Sequence, residues 1–222
     1  MNESTAEPLS IPSTVHGRAL VERGAAAGAG APLLVGFHGY GETAALHARE
    51  LSRLPGAGRF VRCAVQALHP FYLRGEEIGA NWMTRFDREQ AIGDNVAYVA
   101  AAVARLKALS PGSERLVYAG FSQGVAMAYR AAAGAGHRCL GVIALGGDVP
   151  PELARLDLAG FPPVLIGRGR AETWYTEEKM TRDVELLRGK GVLVHPVLYD
   201  GGHEWTDAFR AAAGEFLAEV CP

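Results

Sequence analysis

Short apolar runs alternate with stretches of helical period along this chain. Pro32-Leu33-Leu34-Val35-Gly36-Phe37 and Phe60-Val61-Arg62-Cys63-Ala64-Val65 read as buried strands. Further strands are predicted at Leu116-Val117-Tyr118-Ala119, leading into Gly120, and over Leu140–Leu145, Pro163–Gly167 and Val192–Leu198. Ile92, Val96, Val99, Val103 and Leu106 recur at spacings of four and three, which predicts one apolar helix face. An alanine-rich helix is predicted over Ala126 to Ala133, stopped by Gly134-Ala135-Gly136. Met180, Val184 and Leu187 mark another, with Thr176 as N-cap and Glu177 and Glu178 in its first turn. A last helix carries Trp205, Phe209, Phe216 and Val220, and residues 14–22 read as an additional edge strand. Strands separated by helices predict an α/β fold: a mostly parallel central sheet covered on both faces. Neither repeats nor a linker divide it, so one domain is expected over 1–222, with 1–13 as a flexible or extended N-terminal segment.

Composition narrows the picture. A chain of 222 residues can bury a substantial core, and a net charge of −2 with 21% charged residues gives no reason to expect nucleic acid or an anionic membrane as partner. The stretch Met1 to Pro8 carries acid and no apolar core, so it does not read as a signal peptide. No apolar run approaches the roughly 20 residues that span a bilayer. Cys63, Cys139 and Cys221 lie far apart without metal-ligand spacing; the first two sit in strand-like runs and read as buried thiols. A cytoplasmic protein without stable membrane association is the expectation.

The chemistry-bearing residues stand where predicted strands end, the place where open α/β sheets collect their sites. Gly120-Phe121-Ser122-Gln123-Gly124 follows an apolar run directly, and glycines at both flanks permit the sharp strand-to-helix turn that exposes a serine hydroxyl. Asp148 and Glu172 follow later strands, and His203 lies in Gly201-Gly202-His203-Glu204-Trp205. Serine, then acid, then histidine is the chain order of α/β-hydrolases. Neutral His203 would take the proton of Ser122 and return it to a leaving group while a carboxylate, Asp148 or Glu172, holds its tautomer. His38-Gly39-Tyr40-Gly41-Glu42 reads as the support of an oxyanion hole, with backbone N–H donors from Tyr40 and Gln123. His38, Gly39 and Gly41 shape that loop, and His38 holds it by a hydrogen bond without transferring protons.

His-Gly-x-Gly-Glu, Gly-Phe-Ser-Gln-Gly and Gly-Gly-His-Glu at these separations resemble the phospholipase/carboxylesterase family, which includes the acyl-protein thioesterases. The resemblance runs from about Pro32 to the C-terminus. It implies an α/β-hydrolase with a short flap and no large cap domain, cleaving carboxylic esters or thioesters without metal or organic cofactor. In that family an aspartate stands in a His-Gly-x-x-Asp sequence after the penultimate strand. This chain departs from it with Arg168-Gly169-Arg170-Ala171-Glu172, so the resemblance puts Glu172 in the place of the acid and leaves Asp148 as its rival. Asp200 reads as a turn residue, and Glu177, Glu178 and Asp183 as a solvated helix face.

The resemblance makes a flap of the aromatic stretch from His69-Pro70-Phe71-Tyr72 to Asn81-Trp82-Met83-Thr84-Arg85-Phe86. Trp82 and Phe86 are candidates for an acyl pocket, as are Trp174 and Tyr175; packing of the flap onto the body is the competing role. Arg168 and Arg170 are candidates for an acidic substrate group. The function expected is a serine carboxylesterase for small to medium-chain esters, acting through an acyl-enzyme on Ser122. An acyl-thioester thioesterase or lysophospholipase is the alternative, and a catalytically silent hydrolase-fold binding protein the second. Exposed sheet edges allow a homodimer.

Overall fold

A computed structural model describes residues 9–222. The leader reading of Met1 to Pro8 lies outside the described residues, as does that part of the expected N-terminal segment; residues 9–18 form neither helix nor strand. The expected edge strand over 14–22 is β1 (Ala19–Arg23), antiparallel to β3 (Val61–Val65). It starts later than predicted because its partner ends at Val65, opposite Ala19. Before that point the chain is held by Tyr98, whose hydroxyl donates to the Arg18 carbonyl at 2.8 Å.

The remaining strands of the large sheet are parallel: β2 (Leu33–Phe37), β6 (Leu116–Phe121), β7 (Gly141–Leu145), β8 (Val164–Gly169) and β9 (Val194–Tyr199). The seven strands run in the order β1-β3-β2-β6-β7-β8-β9. Every residue of β2, β6, β7 and β8 is buried, the mark of strands covered on both faces. Alternate residues divide between the layers. Leu33, Val35 and Phe37 pack with buried residues of α2 (Arg88–Leu109), α3 (Gln123–Gly134) and α4 (Glu177–Gly189). Leu34 faces α1 (Ala44–Ser52) and α5 (Asp207–Val220).

Thr176 caps α4 as expected, accepting from Lys179 N, with Glu177 and Glu178 exposed in the first turn. The alanine-rich helix α3 begins immediately after Ser122 and includes Gly134; Trp205 precedes α5, which Thr206 caps. In α2 the buried stripe is Asn95, Val99, Val103 and Leu106, while Ile92 and Val96 of the expected face are half-buried and an asparagine joins the stripe. Its amide donates to the Trp82 carbonyl at 2.8 Å. The helix α1 escaped the hydrophobic pattern because its buried positions are Ala44, His47 and Leu51. The flap stretch contains a two-stranded hairpin, β4 (His69–Tyr72) with β5 (Ile78–Asn81), tied to the His38 loop by Gly41 N–H to Ala80 O and Ala80 N–H to Glu42 O. Cys63 and Cys221 are buried free thiols; Cys139 is half-buried and precedes β7 rather than lying within it. No helix among the described residues is long and apolar enough to cross a membrane.

Candidate active site

The turn after β6 is strained and locked. Ser122 has φ 53° and ψ −120°, and it shares a positive φ only with Asp87 among the described non-glycine residues. A non-glycine residue in such a region costs on the order of 1–3 kcal/mol and persists only where its surroundings hold it. Here Ser122 N–H donates to Leu145 O at 2.9 Å, and its carbonyl accepts from Val125 N at 3.0 Å. A Cβ on Gly120 would stand 2.4 Å from Gly124 O, and one on Gly124 would stand 2.1 Å from Phe37 O. Strand and helix can approach this closely only without those side chains. Ser122 is left at the tip, half-exposed.

Beside it lies the loop after β2. Fully buried His38 accepts from Ala67 N–H through Nε2 at 3.1 Å, which leaves Nδ1 protonated to donate to Gly39 O at 2.7 Å. Burial pushes this imidazole below its ordinary pKa, so the ring stays neutral and acts as a brace. Gly39 N–H donates to the Glu42 carboxylate at 2.7 Å and Gly41 N–H to Ala80 O at 2.9 Å. Burial raises the Glu42 carboxyl above its usual range despite that hydrogen bond. The N–H groups of Tyr40 and Gln123 have no hydrogen-bond partner among the described residues, while those of Gly39, Gly41 and Ser122 are taken. The Tyr40 ring is 61% exposed and packs on Phe71, centroids 5.2 Å apart. The Gln123 side chain ties the next segment down: Oε1 accepts from Trp82 N at 3.0 Å, and Nε2 donates to Met83 O at 2.9 Å.

The carboxylate on His203 Nδ1 belongs to Glu172. Glu172 is buried, and Trp174 N–H donates to its other oxygen at 2.7 Å. Burial alone would raise its pKa; the Trp174 and His203 hydrogen bonds outweigh that and hold the carboxyl below its ordinary value. The His203 side chain, 35% exposed, lies between the Phe121 ring at 4.9 Å and the Trp174 ring at 5.9 Å. Ser122 and His203 line one cavity of about 590 Å³ without a direct hydrogen bond between them. Serine–histidine contacts in enzyme sites often tighten only around a substrate.

Asp148 also lines this cavity, but it pairs with Lys179 at 3.5 Å and Arg182 at 3.4 Å and forms no hydrogen bond or ion pair with His203. Arg168 does not face a substrate. It is the penultimate residue of β8, buried, and donates to the Tyr175 carbonyl at 2.9 Å and the Glu172 carbonyl at 3.3 Å. Arg170 points to Asp200 in solvent. Asp183 is buried rather than solvated, because it accepts from Val149 N–H and the Tyr175 hydroxyl. That contact draws Tyr175 into the core and away from the pocket. Phe86 is 82% exposed and does not line the cavity, since its short segment turns outward before α2. Trp82 lines the cavity, but its side chain is wholly buried and its indole N–H donates to His38 O at 2.9 Å, so it packs under the loop. Trp174 lines the cavity, half-exposed.

Sequence reading overlooked Met83, Arg88, Arg130 and the Val149-Pro150-Pro151 stretch as cavity walls. Only Arg130 had a usable signal, its four-residue spacing from Ala126 and Ser122. Among the described residues no cluster of His, Cys, Asp or Glu is arranged to hold a metal ion.

No protein-family model matches the sequence, and no curated protein matches it. Solved structures do. Esterase PE8 is similar with a TM-score of 0.71 at 21% identity, over 93% of this chain and 100% of that one. Zea mays acyl-protein thioesterase 2 gives 0.68 at 22% identity, over 92% and 99%. A phospholipase/carboxylesterase from Dyadobacter fermentans DSM 18053 gives 0.68 at 20% identity, over 93% and 99%. The chain has the α/β-hydrolase fold that its motifs implied, and these neighbours carry the descriptions of the family that the motifs resemble.

Proposed function

We propose that this chain is a serine carboxylesterase of the phospholipase/carboxylesterase type, acting on small to medium-chain esters through an acyl-enzyme on Ser122. The observation that carries the reading is the strained serine sharing one cavity with a histidine whose Nδ1 is held by a buried, ionised carboxylate. Ser122 Oγ attacks the ester carbonyl while His203 Nε2 takes its proton; Nδ1–H stays on Glu172, which stabilises the imidazolium. The carbonyl oxygen, now negative, accepts from the unpaired N–H groups of Tyr40 and Gln123. Collapse breaks the C–O bond, and His203 returns the proton to the departing alcohol. Water then adds to the acyl-enzyme with His203 as base, and a second collapse releases the acid and restores Ser122.

A thioester substrate would use the same steps, and similarity to an acyl-protein thioesterase supports that second reading. The charged groups on the cavity wall, Arg88, Arg130 and Asp148, favour shorter chains over palmitoyl-sized ones. A fluorophosphonate probe tests the mechanism: an adduct on Ser122 in wild-type protein and none in Ser122→Ala is expected, with ester turnover down roughly a million-fold in the variant. Absence of an adduct on native protein supports the silent binding protein instead.

A further inference from the structure

One face of α3 runs from the serine to a buried cation. Ser122, Ala126 and Arg130 recur every four residues, so they stand in line on one side of the helix, and all three line the cavity. A rise of 1.5 Å per residue puts the Cα atoms of Ser122 and Arg130 about 12 Å apart. Helical side chains lean toward the N-terminus, which brings the guanidinium back toward the serine. Ala126, between them, contributes only a methyl group.

Arg130 is 5% exposed. Its Nε donates to Glu152 at 2.5 Å; Nη1 has only the Met83 sulfur at 3.1 Å, a weak acceptor, and Nη2 has no partner among the described residues. Arg88 reaches the same Glu152 carboxylate at 3.3 Å and also lines the cavity. Its other acidic neighbour, Glu89, lies 3.7 Å away in open solvent, where pairing is weak. Two guanidiniums thus share one carboxylate. The other acids lining the cavity are engaged, Asp148 by Lys179 and Arg182 and Glu172 by His203. Spare guanidinium donors on the wall of a cavity leave places where an anion can supply acceptors.

We propose that the cavity takes esters bearing a free carboxylate, with the ester carbonyl at Ser122, the short linker over Ala126 and the carboxylate on Arg130 and Arg88. The proposal rests on the serine esterase reading and names its substrate class. A planar guanidinium suits a carboxylate through paired N–H donors.

The test is hydrolysis followed by pH-stat on two matched pairs. Monomethyl glutarate against methyl pentanoate places the charge on the acyl side, and γ-acetoxybutyrate against butyl acetate places it on the alcohol side. In at least one pair the charged ester should have the higher kcat/KM by roughly ten- to a hundred-fold. That ratio should collapse in Arg130→Gln and Arg88→Gln and rise in Glu152→Gln, which removes the competing carboxylate. A purely structural salt bridge would move the ratio in none of them. If Arg130→Gln does not fold, the half-exposed Arg88 carries the test. Turnover of the neutral esters with no preference for either charged one overturns the proposal, as does a preference that survives both arginine substitutions. No turnover of any ester and no fluorophosphonate adduct overturns the esterase reading itself, and this proposal with it.

Discussion

The serine turn and the acid loop hold their functional groups by opposite means. Around Ser122 the restraint is backbone against backbone: Gly120 against Gly124, Gly124 against Phe37, and Ser122 N–H on the neighbouring strand. Around Glu172 it is a set of side-chain clamps. Arg168 holds two carbonyls of the loop, Trp174 N–H holds the carboxylate, and Asp183 reaches in from α4 to the Tyr175 hydroxyl. Steric restraint of the first kind tolerates almost no substitution and writes itself into five consecutive residues. The second kind can be rebuilt from other side chains, which is how an arginine and a glutamate stand here where the resembled family has histidine and aspartate.

The comparison is open to attack at four points. The largest effect should come from the carboxylate on the histidine. Glu172→Gln should lower kcat by about 10³- to 10⁴-fold, through loss of the tautomer and of imidazolium stabilisation. Asp148→Asn should change it only several-fold, and the reverse ranking in steady-state ester kinetics would remove Glu172 from its proposed role. Next, Gly124→Ala should destabilise the fold by about 3–5 kcal/mol in urea unfolding, because its methyl would overlap the Phe37 carbonyl.

Arg168→Met should cost less, about 1–3 kcal/mol, since it leaves two loop carbonyls without their donor. If it cost as much as the glycine substitution, the contrast between steric and side-chain restraint would fail. The smallest effect is in pH. The Glu172 carboxyl is held below its ordinary value in the folded protein, so the unfolded chain binds the proton first as pH falls. Its contribution to stability is present above the ordinary carboxylate pKa and lost as pH drops through the folded value. Unfolding curves of wild type and Glu172→Gln should therefore converge toward acid, while the Gly124→Ala penalty stays constant with pH.

Legibility follows the same division. The strand-to-helix turn, the His38 loop and the Gly-Gly-His turn were readable because each is a contiguous run whose residue types answer to local backbone demands. Asp183 was misread and Asn95 went unnoticed because a polar residue at a helix position gives no sign of a partner on another element; the partners are Tyr175 and Trp82. Arg168 and Arg170 drew attention by sequence proximity to Glu172, yet β8 continues through Arg168 and turns its side chain inward. The cationic wall belongs instead to Arg88 and Arg130, from two other helices.

From the sequence alone came the alternation of strands and helices, the glycine-flanked Ser122 and the order of serine, acid and histidine, because periodicity and turn chemistry act over a few residues. Only the tertiary structure decided which carboxylate meets His203, where Asp148 and Arg168 turn, and that a buried arginine looks into the serine's cavity. Those facts depend on distances between strand ends and helices remote in sequence, and packing, not local propensity, sets such distances.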